Sequence, residues 1–192
     1  MEDKENLVWH FESNPHMLIT GRTATGKTYL LKKMADYLSQ VGIVSASFDK
    51  NEFAEILYLA QEKFQERYKY IREYSEGNSG ATYSDLDMKP YFVMIDELDS
   101  GLLFLKNKDP LSYDCLLKII KDIVLKGREV GVFLIGVREG SQPFLEPIED
   151  NMATRIFLGN PNGNGTIFLG GNQNKFQTEL VTEDFFLQNV SK

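Results

Sequence analysis

Short apolar runs alternate along this chain with longer stretches in which apolar residues recur every three or four positions. That is the pattern of buried strands alternating with amphipathic helices. Met17-Leu18-Ile19-Thr20 stops at Gly21 and reads as a buried strand entering a turn. From Lys27 to Gln40, Leu30, Leu31, Met34, Ala35 and Leu38 predict a helix, with Gly42 placed as its C-terminal cap. Ile43 to Phe48 reads as a second strand. Asn51 is placed to cap a long helix whose buried stripe would be Phe53, Ile56, Leu57, Ala60, Phe64, Tyr68 and Ile71, fading by Tyr74. Glu76-Gly77-Asn78-Ser79-Gly80 breaks the pattern, and Tyr91-Phe92-Val93-Met94-Ile95 follows as a third strand ending in Asp96-Glu97. Leu116, Leu117, Ile120, Ile123 and Val124 predict a helix ending near Gly127, and Val130 to Val137 a fourth buried strand. Ile156-Phe157-Leu158 and Thr166-Ile167-Phe168-Leu169 read as late strands separated by the turn-prone Asn160-Pro161-Asn162-Gly163-Asn164-Gly165.

Strands apolar on both faces and alternating with helices predict an α/β fold, a mostly parallel sheet with helices on each side and a small C-terminal hairpin. A length of 192 residues with 42% hydrophobic content suits a single domain spanning 1–192. The net charge of −7 removes the global positive field by which many nucleic-acid binders attract phosphate, so any polyanion site must be local. Cys115 is the one cysteine, which rules out an internal disulfide and suits a reducing compartment; it is expected in the core. No run approaches the roughly eighteen apolar residues that cross a bilayer. The acidic start Met1-Glu2-Asp3-Lys4-Glu5 is unlike a secretory signal. A soluble, cytoplasmic chain is expected, with attachment to the membrane left to a longer parent protein.

Gly21-Arg22-Thr23-Ala24-Thr25-Gly26-Lys27-Thr28 matches G-x-x-x-x-G-K-[ST] between a predicted strand and a predicted helix, which is the context this phosphate-binding loop requires. Its glycines admit backbone conformations closed to other residues, so that successive N–H groups and the helix N-terminus can surround phosphates. Lys27 is expected to neutralise the β and γ phosphates and the Thr28 hydroxyl to ligate Mg2+. A carboxylate at a buried strand tip would complete the metal site, and Asp96 is so placed. Glu97, one residue on, is the candidate to polarise an attacking water, against the plainer alternative that Glu97 and Asp99 form a solvated strand end or helix cap.

Further segments resemble the FtsK/SpoIIIE-type DNA translocases, and especially the coupling ATPases of conjugative elements. Pro15-His16-Met17-Leu18-Ile19-Thr20-Gly21 resembles that family's lead into the phosphate loop, and Phe48-Asp49-Lys50 its Asp-Pro-Lys segment without the proline. Glu66-Arg67-Tyr68 is similar to its E-R-R-Y helix signature, and Lys89 to Leu98 to the strand that carries its acidic pair. Gly127-Arg128-Glu129-Val130-Gly131-Val132-Phe133-Leu134-Ile135 and Ala153-Thr154-Arg155-Ile156 follow in family order. The resemblance implies a RecA-like motor domain that hydrolyses ATP with Mg2+, works as a homo-oligomer, usually a ring of six, and acts on double-stranded DNA, in conjugation beside a membrane-anchored transfer apparatus. It also implies an arginine reaching each ATP from the neighbouring subunit, for which Arg128, Arg138 and Arg155 are candidates beside the plainer reading of surface ion pairs.

The chain departs from the family at the end of the fourth strand, where Ile135-Gly136-Val137-Arg138-Glu139-Gly140 lacks the glutamine that senses the γ phosphate. Valine cannot hydrogen-bond phosphate, so either Arg138 or Gln142 substitutes from the loop or hydrolysis is slow or poorly coupled. Lys63, Arg67, Lys69 and Arg72 mingle with Glu62, Glu66 and Glu73, which reads as a solvated helix face. Lys106 and Lys108, expected in a loop, are better placed to meet DNA, or are solubilising charge. His10 and His16 lack partners at ligand spacing, so no zinc site is expected, and Trp9 and Phe11 read as core or interface residues. Two other functions fit the same residues: a regulatory ATP-binding module with weak turnover, and a ring ATPase that secretes protein.

Overall fold

The computed structural model describes residues 9–49, 51–75, 80–139, 146–159, 164–169 and 171–177. In chain order these form β1 (Met17–Gly21), α1 (Lys27–Val41), β2 (Ile43–Ser47), α2 (Phe53–Tyr74), β3 (Tyr91–Ile95), α3 (Leu98–Lys108), α4 (Pro110–Val130), β4 (Val132–Glu139), α5 (Glu146–Glu149), β5 (Thr154–Leu158), β6 (Asn164–Leu169) and β7 (Asn172–Gln177), with one 3-10 turn at Ser84–Leu86. The strands make a seven-stranded sheet ordered β2-β3-β4-β1-β5-β6-β7. The first five in that order run parallel, and β6 and β7 complete it as an antiparallel meander. The expected α/β class holds, with a mostly parallel sheet, helices on both faces and antiparallel strands at the C-terminal end.

The crossover through α1 carries the chain from β1 past β4 and β3 to β2, whereas the crossovers through α2 and through α3 and α4 return one strand at a time. Right-handed crossovers in opposite directions put α1 on one face of the sheet and α2 and α4, which pack on each other, on the other. Covered on both sides, β3 is buried at every position and β4 at all but its last. Trp9, Phe11, Phe92, Phe133 and Tyr83 form a continuous cluster of tilted and edge-to-face rings that ties the residues before β1 to the sheet. Burial and the hydrogen bond to Glu12 push the Tyr83 hydroxyl above its ordinary pKa.

Several expectations need correction. Asn51 does not cap α2: its amide and side chain both donate to Asp49 Oδ1 at 2.8 Å, a local turn that competes with capping, and Glu52 precedes the helix instead. The fourth helix does not stop near Gly127 but continues to Val130, ending at Gly131 in the left-handed region. Lys106 and Lys108 lie not in a loop but in the last turn of α3, a helix held by buried Leu98 and Leu102. Cys115 is exposed on α4 rather than in the core. Arg67 leaves the solvated face of α2 and is buried, donating to the carbonyls of Val130, Gly131 and Lys89 at 3.1, 3.0 and 2.6 Å. Its neighbours behave as expected, Lys63 pairing with Glu66 and Lys69 with Glu73 along the helix.

His16, just before β1, is buried with φ at 62°. Its Nδ1 accepts from the Leu134 amide at 3.0 Å, so the neutral ring carries its proton on Nε2, near the Val124 carbonyl but outside good hydrogen-bond geometry. Burial lowers its pKa from 6.5 to about 4, offset in part by the Val124 carbonyl. Between those values the unfolded chain binds the proton and the folded chain does not, so stability is complete above 6.5 and lost as the pH falls toward 4. We expect chemical denaturation to show this loss, about 1.4 kcal/mol per pH unit for one proton, and a His16→Asn variant, whose side chain tolerates positive φ, to lack it.

Candidate functional site

At the C-terminal end of β1 the chain turns through Gly21 to Gly26 into α1. Gly21 is required by close approach, because a Cβ there would lie 2.7 Å from the Leu158 carbonyl on β5. Gly26 takes φ 90° and Ala24 φ 60°, left-handed conformations that cost an ordinary residue roughly 1–2 kcal/mol. Thr25 is buried, and its hydroxyl donates to the Arg22 carbonyl at 2.8 Å, locking the loop from inside, while Arg22, Thr23 and Ala24 are exposed. The first turn of α1 has neither a side-chain cap nor an acidic residue, so its N–H groups face outward uncompensated. Lys27 folds back over the loop, its Nζ donating to the carbonyls of Gly21 and Arg22 at 3.0 and 2.8 Å. Free amides, a positive helix end and an ammonium over one exposed loop suit a chain of phosphates.

Asp96 follows β3 and is buried, its own amide donating to the Ser47 carbonyl of β2. Its Oδ1 accepts from the Glu97 amide, and its Oδ2 accepts from Thr28 Oγ1 at 2.6 Å, so groups from β3 and α1 meet although 68 positions separate them. A hydroxyl and one carboxylate side by side fit Mg2+, which keeps waters and borrows phosphate oxygens rather than needing a protein cage. No group of three or more His, Cys, Asp or Glu able to hold a metal occurs among the described residues. Glu97 is exposed and sits at φ 50° and ψ 40°, a left-handed conformation at the turn from β3 into α3.

The end of β4 closes the site. Val137 is buried beside Ile19, and its neighbour Arg138 is buried in an ion pair with Glu149 of α5. Arg138 thus engages Glu149 through Nη1, while its buried Nε has no hydrogen-bond partner among the described residues. Gln142, the other expected substitute, lies outside the described residues. Glu139 pairs in register with Gly21 and accepts a short hydrogen bond from the Thr23 hydroxyl, while its amide donates to Asp99 Oδ2 at 3.3 Å. The sequence offered no periodicity or spacing that singled out Glu139; strand register alone brings it to the loop. Arg155 is half-exposed and donates to the Glu149 carbonyl at 2.9 Å, and Arg128 is exposed at the far end of α4. Lys106 and Lys108 lie over the rings of Tyr113 and Phe104.

No protein-family model matches the chain. It is 29% identical over 180 residues to the Ftsk domain-containing protein YdcQ of Bacillus subtilis (strain 168), covering 81% of this chain and 36% of that protein. The chain resembles the FtsK-type ATPases. Among solved structures, the monomer form of the pCW3 conjugation coupling protein TcpA with ATPgS superposes with a TM-score of 0.65 at 17% identity, over 93% of this chain and 65% of that one. The cytoplasmic domain of the type VII secretion ATPase EccC from Thermomonospora curvata gives a TM-score of 0.65 at 18% identity, over 85% and 25%. At these identities the agreement is one of fold, the RecA-like arrangement of P-loop ATPases. The chain spans about a third of the length of its FtsK-type relative YdcQ. No helix among the described residues is long and apolar enough to cross a membrane.

Proposed function

We propose that this chain is the motor domain of an ATP-hydrolysing translocase that moves double-stranded DNA, in the service of conjugative transfer. The observation that supports ATP hydrolysis is the 2.6 Å bond between Thr28 and Asp96, a hydroxyl and a carboxylate suited to Mg2+ beside the phosphate loop. The conjugation role is supported by the fold shared with a coupling protein whose structure includes ATPgS. In this reading the amides of residues 21–28 and the Lys27 ammonium bind the β and γ phosphates, and Thr28 and Asp96 hold Mg2+. When bound, the metal neutralises phosphate charge and draws electron density from the γ phosphorus. Lys27 leaves the carbonyls of Gly21 and Arg22 for the phosphates, a local exchange of acceptors. Glu97 accepts a proton from the attacking water as its oxygen bonds phosphorus and the bond to the β-phosphate oxygen breaks.

With Arg138 buried against Glu149, the exposed Arg155 and Arg128 remain to reach the ATP of a neighbouring subunit in a homo-oligomeric ring. The ring would sit in the cytoplasm at the inner face of the membrane, held by a parent protein or a membrane-anchored partner. Val137 in place of a phosphate-sensing glutamine favours a second reading, an ATP-binding module with weak turnover that controls assembly. The likeness to EccC keeps a protein substrate as the outcome if DNA has no effect.

Steady-state hydrolysis measured across protein concentrations at low salt, with and without double-stranded DNA, separates these readings. A motor shows turnover that rises with DNA and drops at least about tenfold in Glu97→Gln, with nucleotide binding retained. Tight binding with negligible turnover in both proteins would select the regulatory module instead.

A further inference from the structure

Among the described residues no ion pair engages Glu139. It ends β4 beside Gly21, about one strand spacing from the start of the phosphate loop. Its carboxylate accepts from the Thr23 hydroxyl on the outer part of that loop, and both residues are exposed, so the contact lies across the mouth of the site rather than in its floor. The other contact of Glu139 is through its amide, to the Asp99 carboxylate at 3.3 Å. Arg138, the adjacent cation, is buried and paired with Glu149. Asp96, Glu97 and Asp99 add three more carboxylates on the same side, against Lys27 and Arg22 on the loop.

Resting on the nucleotide reading above, we propose that Glu139 is a specificity residue that makes the site select metal-bound nucleotide over free nucleotide. A triphosphate entering the loop meets the Glu139 carboxylate at the Thr23 hydroxyl, which the phosphates and the carboxylate compete to accept. Free triphosphate brings its full negative charge against that carboxylate and is repelled. Magnesium cancels part of the charge, and the metal also draws on Asp96, so the metal-bound form meets less repulsion and gains a partner. A neutral side chain at the end of this strand would bind both forms with more equal strength. The charge at position 139 therefore keeps the loop from filling with a nucleotide that lacks the metal needed for hydrolysis.

The test measures binding of a fluorescent ATP analogue by the whole chain, in magnesium and in EDTA, for the unaltered protein, Glu139→Gln, Glu139→Asp and Lys27→Ala. Glu139→Gln is expected to raise affinity in EDTA about tenfold, the effect of removing one nearby like charge, and to change affinity in magnesium by less than about threefold. Glu139→Asp keeps the charge and the selectivity. An unchanged ratio of the two affinities in Glu139→Gln overturns the proposal, and if Lys27→Ala still abolishes binding, the nucleotide reading survives it. Failure of the unaltered protein to bind in both magnesium and EDTA overturns both.

Discussion

Lys27→Ala is expected to lower nucleotide affinity by about a hundredfold or more, as titration with a fluorescent ATP analogue in magnesium would show. The magnitude follows from what the ammonium does in each state. Without nucleotide it rests on the carbonyls of Gly21 and Arg22, neutral acceptors that water can replace at the exposed loop. Facing a triphosphate, the same group makes charge-assisted hydrogen bonds in a partly enclosed site, where each is worth roughly twice a neutral one. Alanine removes that difference and leaves the loop amides, which the Thr25 hydroxyl and the close approach of Gly21 to Leu158 hold in place. The chain therefore stays folded, and a thermal melt without nucleotide coincides with that of the unaltered protein. Affinity unchanged in the variant would remove the phosphate loop from the account and with it the proposed chemistry.

The second large effect concerns stability. Arg67→Met is expected to destabilise the chain by about 4 kcal/mol in urea, with nucleotide affinity measured under folding conditions changed little. Methionine keeps most of the apolar stem, so the loss isolates the guanidinium. That group donates to three carbonyls, those of Val130 and Gly131 at the end of α4 and that of Lys89 entering β3, the Gly131 carbonyl also accepting from the Tyr91 amide at 2.8 Å. It also lies 5.9 Å from the Tyr91 ring. Burial pulls its pKa below the ordinary arginine value, the direction expected when a cation trades water for neutral acceptors. The three acceptors sit where α4 turns into β4, so Arg67 joins α2 to both strands that carry the site, at the edge of the sheet opposite the phosphate loop. A loss smaller than about 1 kcal/mol would mean that water reaches those carbonyls.

Arg67 also shows why local reading fails at particular residues. On the helix it stands among charges spaced for solvent, and Lys63, Glu66, Lys69 and Glu73 do pair there. What buries Arg67 is the arrival of α4 and β3, separated from it by 22 to 64 positions. α3 was missed for a related reason: its stripe of Leu98 and Leu102 is short and follows a buried strand without a break. β7, Asn-rich and polar, has almost none of the alternation that marks a half-buried strand, and only pairing with β6 makes it one. Asn51 carries the right side chain for a cap, but Asp49 two residues earlier engages it first.

Periodicity and the spacing of glycine, lysine and threonine were enough to establish the α/β class, the order of the main strands and helices, and the strand-loop-helix that presents residues 21–28. These depend on interactions within a few residues, or on burial that apolar content already dictates. That Thr28 and Asp96 would lie together was already legible from the loop motif and the acidic strand tip, whereas the pairing of Arg138 with Glu149 and the placing of Glu139 against Thr23 were decided by tertiary structure alone. Each depends on which strands become neighbours and in what register, and a one-residue shift in register would turn every side chain to the other face of the sheet.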